Sequence, residues 1–434
     1  MITVLYAFLD TLEWMVVLFT FYTLLIPFGG FKREKRKTLS DPKSSFAIII
    51  PAHNEEKVIG CLVESCSRLD YPAGLFDIYV IADNCSDGTV NVAGAKGAIV
   101  LKRKNLEKTG KGYALEYGFA EAFRRRAYDA VVVIDADNLV KDDFLKIMNT
   151  ELLAGWKILQ GRMDVKNPND TWVTAVFAIS VWVSNRFFYY AKHNFGLSAY
   201  LGGTGMCISS DVLGKIGWGA TSLTEDLEFS VKALTYGIKT HWVHSAIVYD
   251  EKPLTFSQSW TQRLRWVRGQ VTVAFRYLPK LLWRGLSRFD LVSLDGVLQL
   301  CIPFYVIAAA ITSVIFLTPL RQYAFDPFLG QILFSTYWEV VWLSQYAFIS
   351  IVIPIVAVVW DGGSKHTLRY LLLFPFYQYS WVFLACLGFL TYREKEWVHT
   401  EHTRAMTDLE WKGGLSPAID LGDDLILAPE TADD

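Results

Sequence analysis

The sequence predicts an α/β domain that is combined with membrane-spanning and interfacial helices. Short apolar runs alternate with amphipathic stretches from residue 46 to residue 134, and long apolar segments lie before and after this region. In addition, 52% of the 434 residues are hydrophobic, whereas a soluble protein of this size is usually more polar. The net charge of −2 provides no overall field to attract nucleic acid, so we expect no nucleic-acid partner.

The N-terminal segment, residues 1–31, is predicted to be a transmembrane helix. The run from Ile2 to Phe28 is apolar and no small-x-small cleavage site follows it, which disfavours a removable signal peptide. A basic cluster at residues 32–37 comes directly after it. Because positive charge marks the cytoplasmic side, we expect a multi-pass protein of the plasma (inner) membrane with residues 32 to about 290 in the cytoplasm.

The region after this helix is predicted to form a parallel sheet covered by helices on both faces. Apolar strands are expected at Phe46–Pro51, Asp77–Ala82 and Ala130–Ile134. Helical spacing occupies Glu55–Leu69 and Thr109–Arg126. Strands without polar positions are typical of sheets that are buried on both sides. Ligands on such sheets bind beyond the carboxyl ends of the strands, so the residues after each apolar run are candidates for a site.

The C-terminal part is predicted to return to the membrane. Apolar stretches near 291–317, 336–360 and 369–392 are each long enough to cross a bilayer core of ~30 Å. Three spans would put the tail outside, but nearby basic residues favour the inside, a conflict that a re-entrant 369–392 segment would resolve. The expected parts are an N-terminal transmembrane helix (1–31), a cytoplasmic domain (32–255), interfacial amphipathic helices (256–290), about three C-terminal transmembrane helices (291–392) and a polar tail (393–434).

A further apolar and aromatic stretch, Trp172–Tyr190, lies inside the predicted cytoplasmic domain. Asn185, Arg186 and Lys192 argue against a transmembrane span, because polar and charged side chains are costly in a bilayer. We therefore interpret this stretch as an interfacial helix or as a wall of an acceptor site.

Polar turns follow all three predicted strands. They read PAHNEE from Pro51, DNCSDGT from Asp83 and DAD from Asp135. Each turn alone is explained as a helix cap or an Asx turn, but three turns at one edge of a sheet indicate a binding site. Neighbouring carboxylates at Asp135 and Asp137 are unfavourable unless a cation neutralises them. We therefore expect Mg²⁺ or Mn²⁺, bound together with substrate phosphates.

Two further residues, Lys111 and Asp226, are candidates for the chemistry of such a site, and a glycine-rich turn lies between them in the sequence. Lys111 lies at a glycine-flanked helix start, where an amine and backbone N–H groups can hold a diphosphate. Asp226 has apolar neighbours and is a candidate general base, with an ordinary acid at a helix start as the alternative. The glycine-rich Gly202–Met206 turn would let the backbone approach a ligand closely. Neither GxxxxGK[ST] nor a GxGxxG after the first strand is present, which disfavours NTPase and dehydrogenase activities.

The stretch from Phe256 to Trp283 mixes arginine, glutamine and aromatic residues with leucine and valine. A helix of this composition would lie flat on a membrane surface, with aromatic residues dipping inward and arginines facing phosphates. Alone, it is explained equally well as a simple interfacial anchor. The motifs upstream favour a functional role for its segment Gln262–Trp266 over that of a simple anchor.

In this order and spacing, the motifs resemble those of the membrane-bound, processive family-2 glycosyltransferases, which include cellulose, hyaluronan and poly-N-acetylglucosamine synthases. The resemblance covers residues ~45–290 and implies a GT-A (Rossmann-like) glycosyltransferase domain. The matching positions are Pro51-Ala52-x-Asn54-Glu55, Asp83, Lys111, Asp135-Ala136-Asp137, Thr224-Glu225-Asp226 and Gln262-x-x-Arg265-Trp266.

The resemblance also implies a role for each matching residue. Asp226 would be the catalytic base that deprotonates the acceptor hydroxyl, and Asp137 with Asp135 would bind the Mg²⁺ or Mn²⁺ ion. The other positions would bind substrate. Ala52, Glu55 and Asp83 would hold the uridine, and Lys111 and Asp135 would contact the diphosphate sugar. Thr224 and Glu225 would bind substrate beside the base, and Gln262, Arg265 and Trp266 would hold the diphosphate and the terminal sugar of the acceptor.

The implied activity is inverting transfer from a UDP-sugar, with UDP-glucose favoured and UDP-N-acetylglucosamine next. The enzyme would extend a β-linked polysaccharide and pass it across the membrane. One alternative moves one or a few sugars to a lipid acceptor, and another is a catalytically silent membrane scaffold that binds a nucleotide sugar. The expected partners are the donor, a growing glycan or lipid acceptor and the bilayer, and no export or regulatory partner is visible in the sequence.

Overall fold

The computed structural model describes residues 2–34, 37–316, 347–362 and 365–394. The strands are β1 (Phe46–Ala52), β2 (Phe76–Asp83), β3 (Ile99–Arg103), β4 (Ala130–Val133), β5 (Leu139–Val140), β6 (Ile158–Val165), β7 (Met206–Ser209) and β8 (Thr240–Asp250). They form one eight-stranded sheet with the order β3-β2-β1-β4-β7-β6-β8-β5.

Helices cover both faces of this sheet and extend beyond it. The α-helices are α1 (Ile2–Leu25), α2 (Ile59–Ser67), α3 (Thr89–Ala95), α4 (Lys111–Arg125), α5 (Phe144–Leu153), α6 (Trp172–Ser184), α7 (Ala191–Asn194), α8 (Ser210–Ile216), α9 (Glu225–Thr235), α10 (Phe256–Arg288), α11 (Leu291–Phe316), α12 (Ile353–Asp361) and α13 (Phe374–Leu390).

The predicted α/β core is confirmed. The three predicted strands are β1, β2 and β4, and the predicted helices are α2 and α4, each within a few residues of the expected bounds. Alternate side chains of β1 enter two core layers: Ile48 packs with Leu62 and Phe144 on one face, and Ile49 packs with Leu115 on the other. All are fully buried, and burial of each such side chain stabilises the fold by about 1.5–3 kcal/mol.

The prediction of a parallel sheet holds for the pairs among β1 to β4 and for β6 with β8, but the sheet as a whole is mixed. β7 runs antiparallel to β4 and β6, and β5 runs antiparallel to β8. Met206, the first residue of β7, lies opposite Val133, the last residue of β4. Because β7 starts where β4 ends, the Gly202–Gly205 turn before β7 lies beside the Asp135–Asp137 turn after β4.

The Trp172–Tyr190 stretch is helical and packs against protein. It comprises α6 and a π-helical turn, Asn185–Tyr190. The polar residues that argued against a span bind inside the protein: Asn185 donates to Met163 O (2.7 Å), and Arg186 Nη2 donates to Asp361 Oδ1 (2.7 Å). Asp361 ends α12, so this ion pair joins the sheet domain to the C-terminal helices.

α10 is one continuous helix of 33 residues and not several short ones. The Thr255 side chain caps its N-terminus by accepting from Gln258 N. Part of its apolar side is covered by another helix, since Val267 and Val271 pack on Leu384 of α13. Phe275 and Trp283 of the same helix are exposed, and the expected contact of α10 with a membrane surface stays a prediction.

Two helical segments, Trp14–Phe31 and Leu291–Val314, are long and apolar enough to cross a membrane. Length and composition alone do not separate such segments from buried core helices. The apolar helices Phe348–Asp361 and Phe374–Leu390 are shorter than a typical span. Residues 336–346 of the predicted 336–360 span lie outside the described residues, as does the tail from residue 395.

Candidate active site

The carboxyl ends of β1, β2 and β4 meet at one edge of the sheet, which brings the three polar turns together. Asn54 and Asn84 both have left-handed backbone conformations (φ 57° and 52°), which asparagine tolerates better than most residues. Asn54 Oδ1 accepts from Ser86 N (2.8 Å), and Asn84 Oδ1 accepts from Asn105 N (2.8 Å). The first contact holds the first two turns against each other, and the second ties the second turn to the segment after β3.

The residues expected to bind uridine lie on these adjacent turns. Ala52 is the last residue of β1, Glu55 N donates to Thr89 Oγ1 (2.9 Å), and Asp83 ends β2. Arg103, which sequence reasoning missed, forms a salt bridge with Asp83 (2.5 Å). Burial raises the pKa of Asp83, and the Arg103 guanidinium opposes this shift.

Lys111 occupies the centre of the site as the first residue of α4. Its Nζ lies 2.5 Å from Asp135 Oδ1, 2.8 Å from Gly203 O and 3.7 Å from Glu225 Oε1. Burial lowers the pKa of this amine, but the Asp135 and Glu225 carboxylates outweigh burial, so the pKa is raised. The structure thus provides a permanent cation in contact with three separate segments.

Glu225 and Asp226 form the first turn of α9. Burial raises the pKa of Glu225 to about 7; Lys111 opposes this rise, and the charge of Asp226 adds to it. Burial also raises the pKa of Asp226, against the opposing charges of Lys111 and Arg265. A carboxylate with a raised pKa is a stronger base, which suits Asp226 for removing a proton from a hydroxyl.

The Gly202–Gly205 turn lies between Asp226 and Lys111. Gly203 has a φ of +88°, and a Cβ placed on it would lie 3.3 Å from both Asp226 Oδ2 and Lys111 Nζ. A side chain here would be strained and would fill the space between these two groups. Next to it, Thr204 Oγ1 accepts from Asp135 N (3.2 Å), which ties the turn to the aspartate pair.

Asp135 and Asp137 are the residues that could hold a divalent ion. Asp137 is only 5% exposed, and its backbone carbonyl accepts from Lys166 Nζ (2.8 Å). Among the described residues, no group of three or more His, Cys, Asp or Glu side chains could hold a metal. Two carboxylates nevertheless fit an ion such as Mg²⁺, which uses one or two protein carboxylates and takes its other ligands from phosphates and water.

α10 brings its motif against the loop that precedes Asp226. Arg265 Nη1 donates to Leu223 O (3.1 Å), and Trp266 meets the ring of Phe177 edge-on at 6.0 Å. We call Trp266 and Phe177 the aromatic wall. Gln262 Oε1 is buried and accepts no hydrogen bond from the parts of the chain that the structure describes.

The expectation that the arginines of α10 face phosphates is wrong for Arg263. This side chain is fully buried, with its guanidinium 4.1 Å from the ring centre of Tyr377 and 5.2 Å from that of Trp381. Its Nη1 donates to Ser380 Oγ (2.6 Å). The apolar helix α13 supplies all three partners, which the sequence could not show because they lie more than a hundred residues away.

Sequence reasoning also missed two residues that place the base loop. Glu228 is fully buried and accepts from Thr221 N (2.9 Å) and Ser222 N (2.8 Å). Gly269 lets α10 approach Thr224, because a Cβ there would lie 2.5 Å from Thr224 Oγ1. A glycine inside a helix was a usable signal for close packing, whereas Glu228 resembles any other acid of a helix.

Comparison with known proteins agrees with this geometry. The family described as "Glycosyltransferase like family 2" matches residues 42–269. The probable glycosyltransferase YdaM of Bacillus subtilis is 29% identical over 299 residues, 62% of this chain and 67% of YdaM. The β-monoglucosyldiacylglycerol synthase of Synechocystis sp. is 25% identical over 257 residues, 56% of this chain and 50% of that enzyme. The matched regions thus span between half and two thirds of these relatives.

Among solved structures, the mannosyltransferase PcManGT from Pyrobaculum calidifontis, in complex with GDP-Man and Mn²⁺, superposes with a TM-score of 0.53. It is 17% identical, and the match covers 82% of this chain and 99% of that one. This likeness shows a shared GT-A, Rossmann-like α/β fold. Since the family match also covers more than half of the sequence, the chain belongs to the family-2 glycosyltransferases.

Proposed function

We propose that the chain is an inverting, UDP-sugar-dependent glycosyltransferase that extends a β-linked glycan at a membrane. One observation carries this proposal: Asp226 Oδ2 and Lys111 Nζ both lie 3.3 Å from the same point beside Gly203. A base and a phosphate-binding cation on either side of a small space are what inverting transfer needs. The base activates the acceptor on one face of the anomeric carbon, and the diphosphate leaves from the other.

In this mechanism Asp226 takes the proton of the acceptor hydroxyl as its oxygen bonds to the anomeric carbon. Lys111 and Arg265 stabilise the negative charge of the departing diphosphate. Asp135 and Asp137 would hold a divalent ion, which supplies further positive charge to that diphosphate when bound. Inversion of an α-linked donor yields a β-linkage.

For the donor, we propose UDP-glucose first and UDP-N-acetylglucosamine next, with the uridine held by Ala52, Glu55 and Asp83. The name of the Synechocystis relative, a monoglucosyl synthase, supports glucose. Arg103 would keep Asp83 ionised and oriented, in spite of the burial that raises its pKa.

For the acceptor, we propose that its terminal sugar stacks on Trp266, which the buried Phe177 supports from behind, and donates a hydrogen bond from a hydroxyl to Gln262. Aromatic faces are suitable stacking surfaces for pyranose rings. The buried Gln262 Oε1 gains from any partner, since an unsatisfied buried acceptor costs about 1–3 kcal/mol.

We further propose a plasma-membrane location with the sheet domain in the cytoplasm and the glycan passing outward. Helices before and after the sheet domain expose large apolar side chains, such as Leu18 (65% exposed) in α1 and Phe376 (74% exposed) in α13. Apolar surface of this kind is suited to lipid.

A second candidate is transfer of one or a few sugars to a lipid. The Synechocystis relative favours it, because a diacylglycerol lipid appears in the name of that enzyme. Both candidates use the same base and diphosphate site, and they differ in the length of the product.

The test is product formation by the full-length protein in nanodiscs. UDP-glucose, UDP-N-acetylglucosamine and UDP-galactose are supplied separately with Mg²⁺ or Mn²⁺, and UDP release and product size are measured. A large, glycosidase-sensitive product from one donor would support the polymerase. UDP release that requires added lipid and gives products one or two sugars long would support the second candidate. Absence of turnover with every donor would contradict both.

A further inference from the structure

The Gly202–Gly205 turn is held by a side chain from a distant strand. Gln160 of β6 is fully buried. Its Oε1 accepts from Gly202 N (2.9 Å), and its Nε2 donates to Thr204 O (2.9 Å) and to Gly161 O (2.7 Å). One amide group therefore binds the backbone on both sides of Gly203.

This turn contacts all three groups of the proposed chemistry. Gly203 O accepts from Lys111 Nζ (2.8 Å), and Thr204 Oγ1 accepts from Asp135 N (3.2 Å). On the other side, Leu201 N donates to Ser230 Oγ, which donates to Asp226 O; each of these bonds is 2.8 Å long. A displacement of the turn would thus move the lysine, the aspartate pair and the base relative to one another.

The turn has little conformational preference of its own. Gly203 and Gly205 both have positive φ values, +88° and +63°. Glycine adopts many backbone conformations in the unfolded chain, so fixing it in one of them costs entropy. The shape of the turn therefore depends on the groups that bind it. Gln160 supplies an acceptor and a donor at once, which an apolar side chain of equal size cannot do.

We infer that Gln160 is a positioning residue of the transfer reaction, which fixes the turn on which Lys111, Asp135 and Asp226 depend. This inference rests on the proposed function and extends it to a residue that touches no substrate. It requires the Nε2 donor in particular, because Oε1 alone would leave Thr204 O unbound.

The Gln160→Glu substitution tests that requirement, because it keeps the shape and exchanges the donor for an acceptor. An ionised carboxylate would face the carbonyls of Gly161 and Thr204, whereas a protonated one has one O–H and can donate again to Thr204 O. Burial raises the pKa of such a group above the ordinary value of about 4.3. We expect UDP affinity and protection of the turn to approach those of the wild type at low pH, and UDP affinity to fall by about tenfold or more as the pH rises.

Two readouts on the full-length protein in detergent follow this transition from pH 5 to 9. The first is the Kd of UDP with Mn²⁺, which reports on the Lys111 side of the site. The second is hydrogen exchange of the peptide around Gly202–Met206, compared with wild type at each pH. The second readout needs no ligand. Gln160→Met is the control that removes both hydrogen bonds and cannot titrate.

The inference predicts faster exchange of this peptide in Gln160→Glu at high pH, with protection restored at low pH, while Gln160→Met is impaired at every pH. Identical exchange in all three proteins would overturn it, as would equal impairment of Gln160→Glu at every pH. Failure of the wild type to bind UDP would refute the proposed function alone, because the exchange measurement would still decide the role of Gln160.

Discussion

At the scale of single residues, the cost of burying the charged side chains of the site is offset by neighbouring groups of opposite charge. Lys111 neutralises the carboxylates that surround it, and Arg265 adds a second cation beside the loop of the base. Without these cations, ionisation of the buried carboxyl groups would be costly, so the groups would stay protonated. The nearby charges of Lys111 and Arg265 favour the ionised form of Asp226, the proposed base, while burial raises its pKa.

Replacing Asp226 by Asn should remove the base and leave the shape. Transfer should fall by about 10²–10⁴-fold, the usual contribution of a general base, while UDP binding is retained. UDP release and UDP affinity measured on one preparation test this. Asp142→Asn, at an exposed position, is the matched control. Unchanged function of Asp226→Asn in cells would favour the silent scaffold that binds a nucleotide sugar.

The pH dependence should report on Glu225 and Asp226 as a pair. Since each negative charge disfavours ionisation of the other, kcat should rise with pH along a limb that lies above the usual carboxylate range. Glu225→Gln should move this limb to lower pH. An identical limb in the variant would contradict the coupling.

The contribution of Glu225 to the free energy of unfolding should fall as the pH rises, whereas kcat should increase. The folded pKa of Glu225, about 7, exceeds its ordinary 4.5, so the folded state binds more protons between these values. Its contribution to stability is therefore complete below about 4.5 and is lost as the pH rises through 7. Thermal unfolding of wild type and Glu225→Gln across this range measures the difference.

At the scale of elements, α10 connects the site to the C-terminal helices. One side of this helix carries Arg265 against the base loop, and the other carries Arg263 into α13. Tyr377 of α13 stacks under Arg263 and also contacts Phe177 of the aromatic wall at 6.0 Å. An apolar helix at the end of the described chain thus sets the position of the proposed acceptor surface.

Arg263→Lys should therefore destabilise the protein by roughly 2–3 kcal/mol. Lysine cannot reproduce the planar contact with Tyr377 and Trp381 or the fixed bond to Ser380. Thermal unfolding in detergent gives the size of the effect. Arg288→Lys, on the exposed end of the same helix, should change little. Equal stability of both variants would show that the aromatic contacts contribute nothing.

At the scale of the whole molecule, buried ion pairs join the sheet domain to the apolar helices. Arg186 binds Asp361 at the end of α12, and His244 of β8 lies 3.4 Å from the same carboxylate. Lys192, which is completely buried, pairs with Asp295 of α11 at 3.0 Å. Such pairs are costly to break, because the remaining charge has no water to solvate it.

Asp361→Asn should accordingly cost about 3–5 kcal/mol, since it leaves Arg186 buried without its counterion. The melting temperature in detergent should fall clearly. Asp211→Asn removes one partner of an exposed pair with Lys157 and should cost less than about 1 kcal/mol. A double variant, Arg186→Met with Asp361→Leu, should recover much of the loss, and failure to recover would point to a role beyond charge pairing.

The sequence alone was sufficient for three of the eight described strands, because apolar strands and amphipathic helices are local patterns. The strands β1, β2 and β4 and the polar turns at their ends follow from short runs of residues, whereas β3 and β5 to β8 were not predicted. The order and spacing of the motifs also indicated a family-2 glycosyltransferase, which the match over residues 42–269 confirms, whereas the processive, membrane-bound subtype stays a prediction.

Only the tertiary structure decided how distant residues meet. The antiparallel direction of β7 places Gly203 between Lys111 and Asp226, and Gln160 holds that turn from another strand. Arg263 binds α13 although its sequence context predicted contact with phosphates. These outcomes depend on contacts across the fold, whose energies come from burial and pairing of side chains far apart in the chain, so no local pattern encodes them.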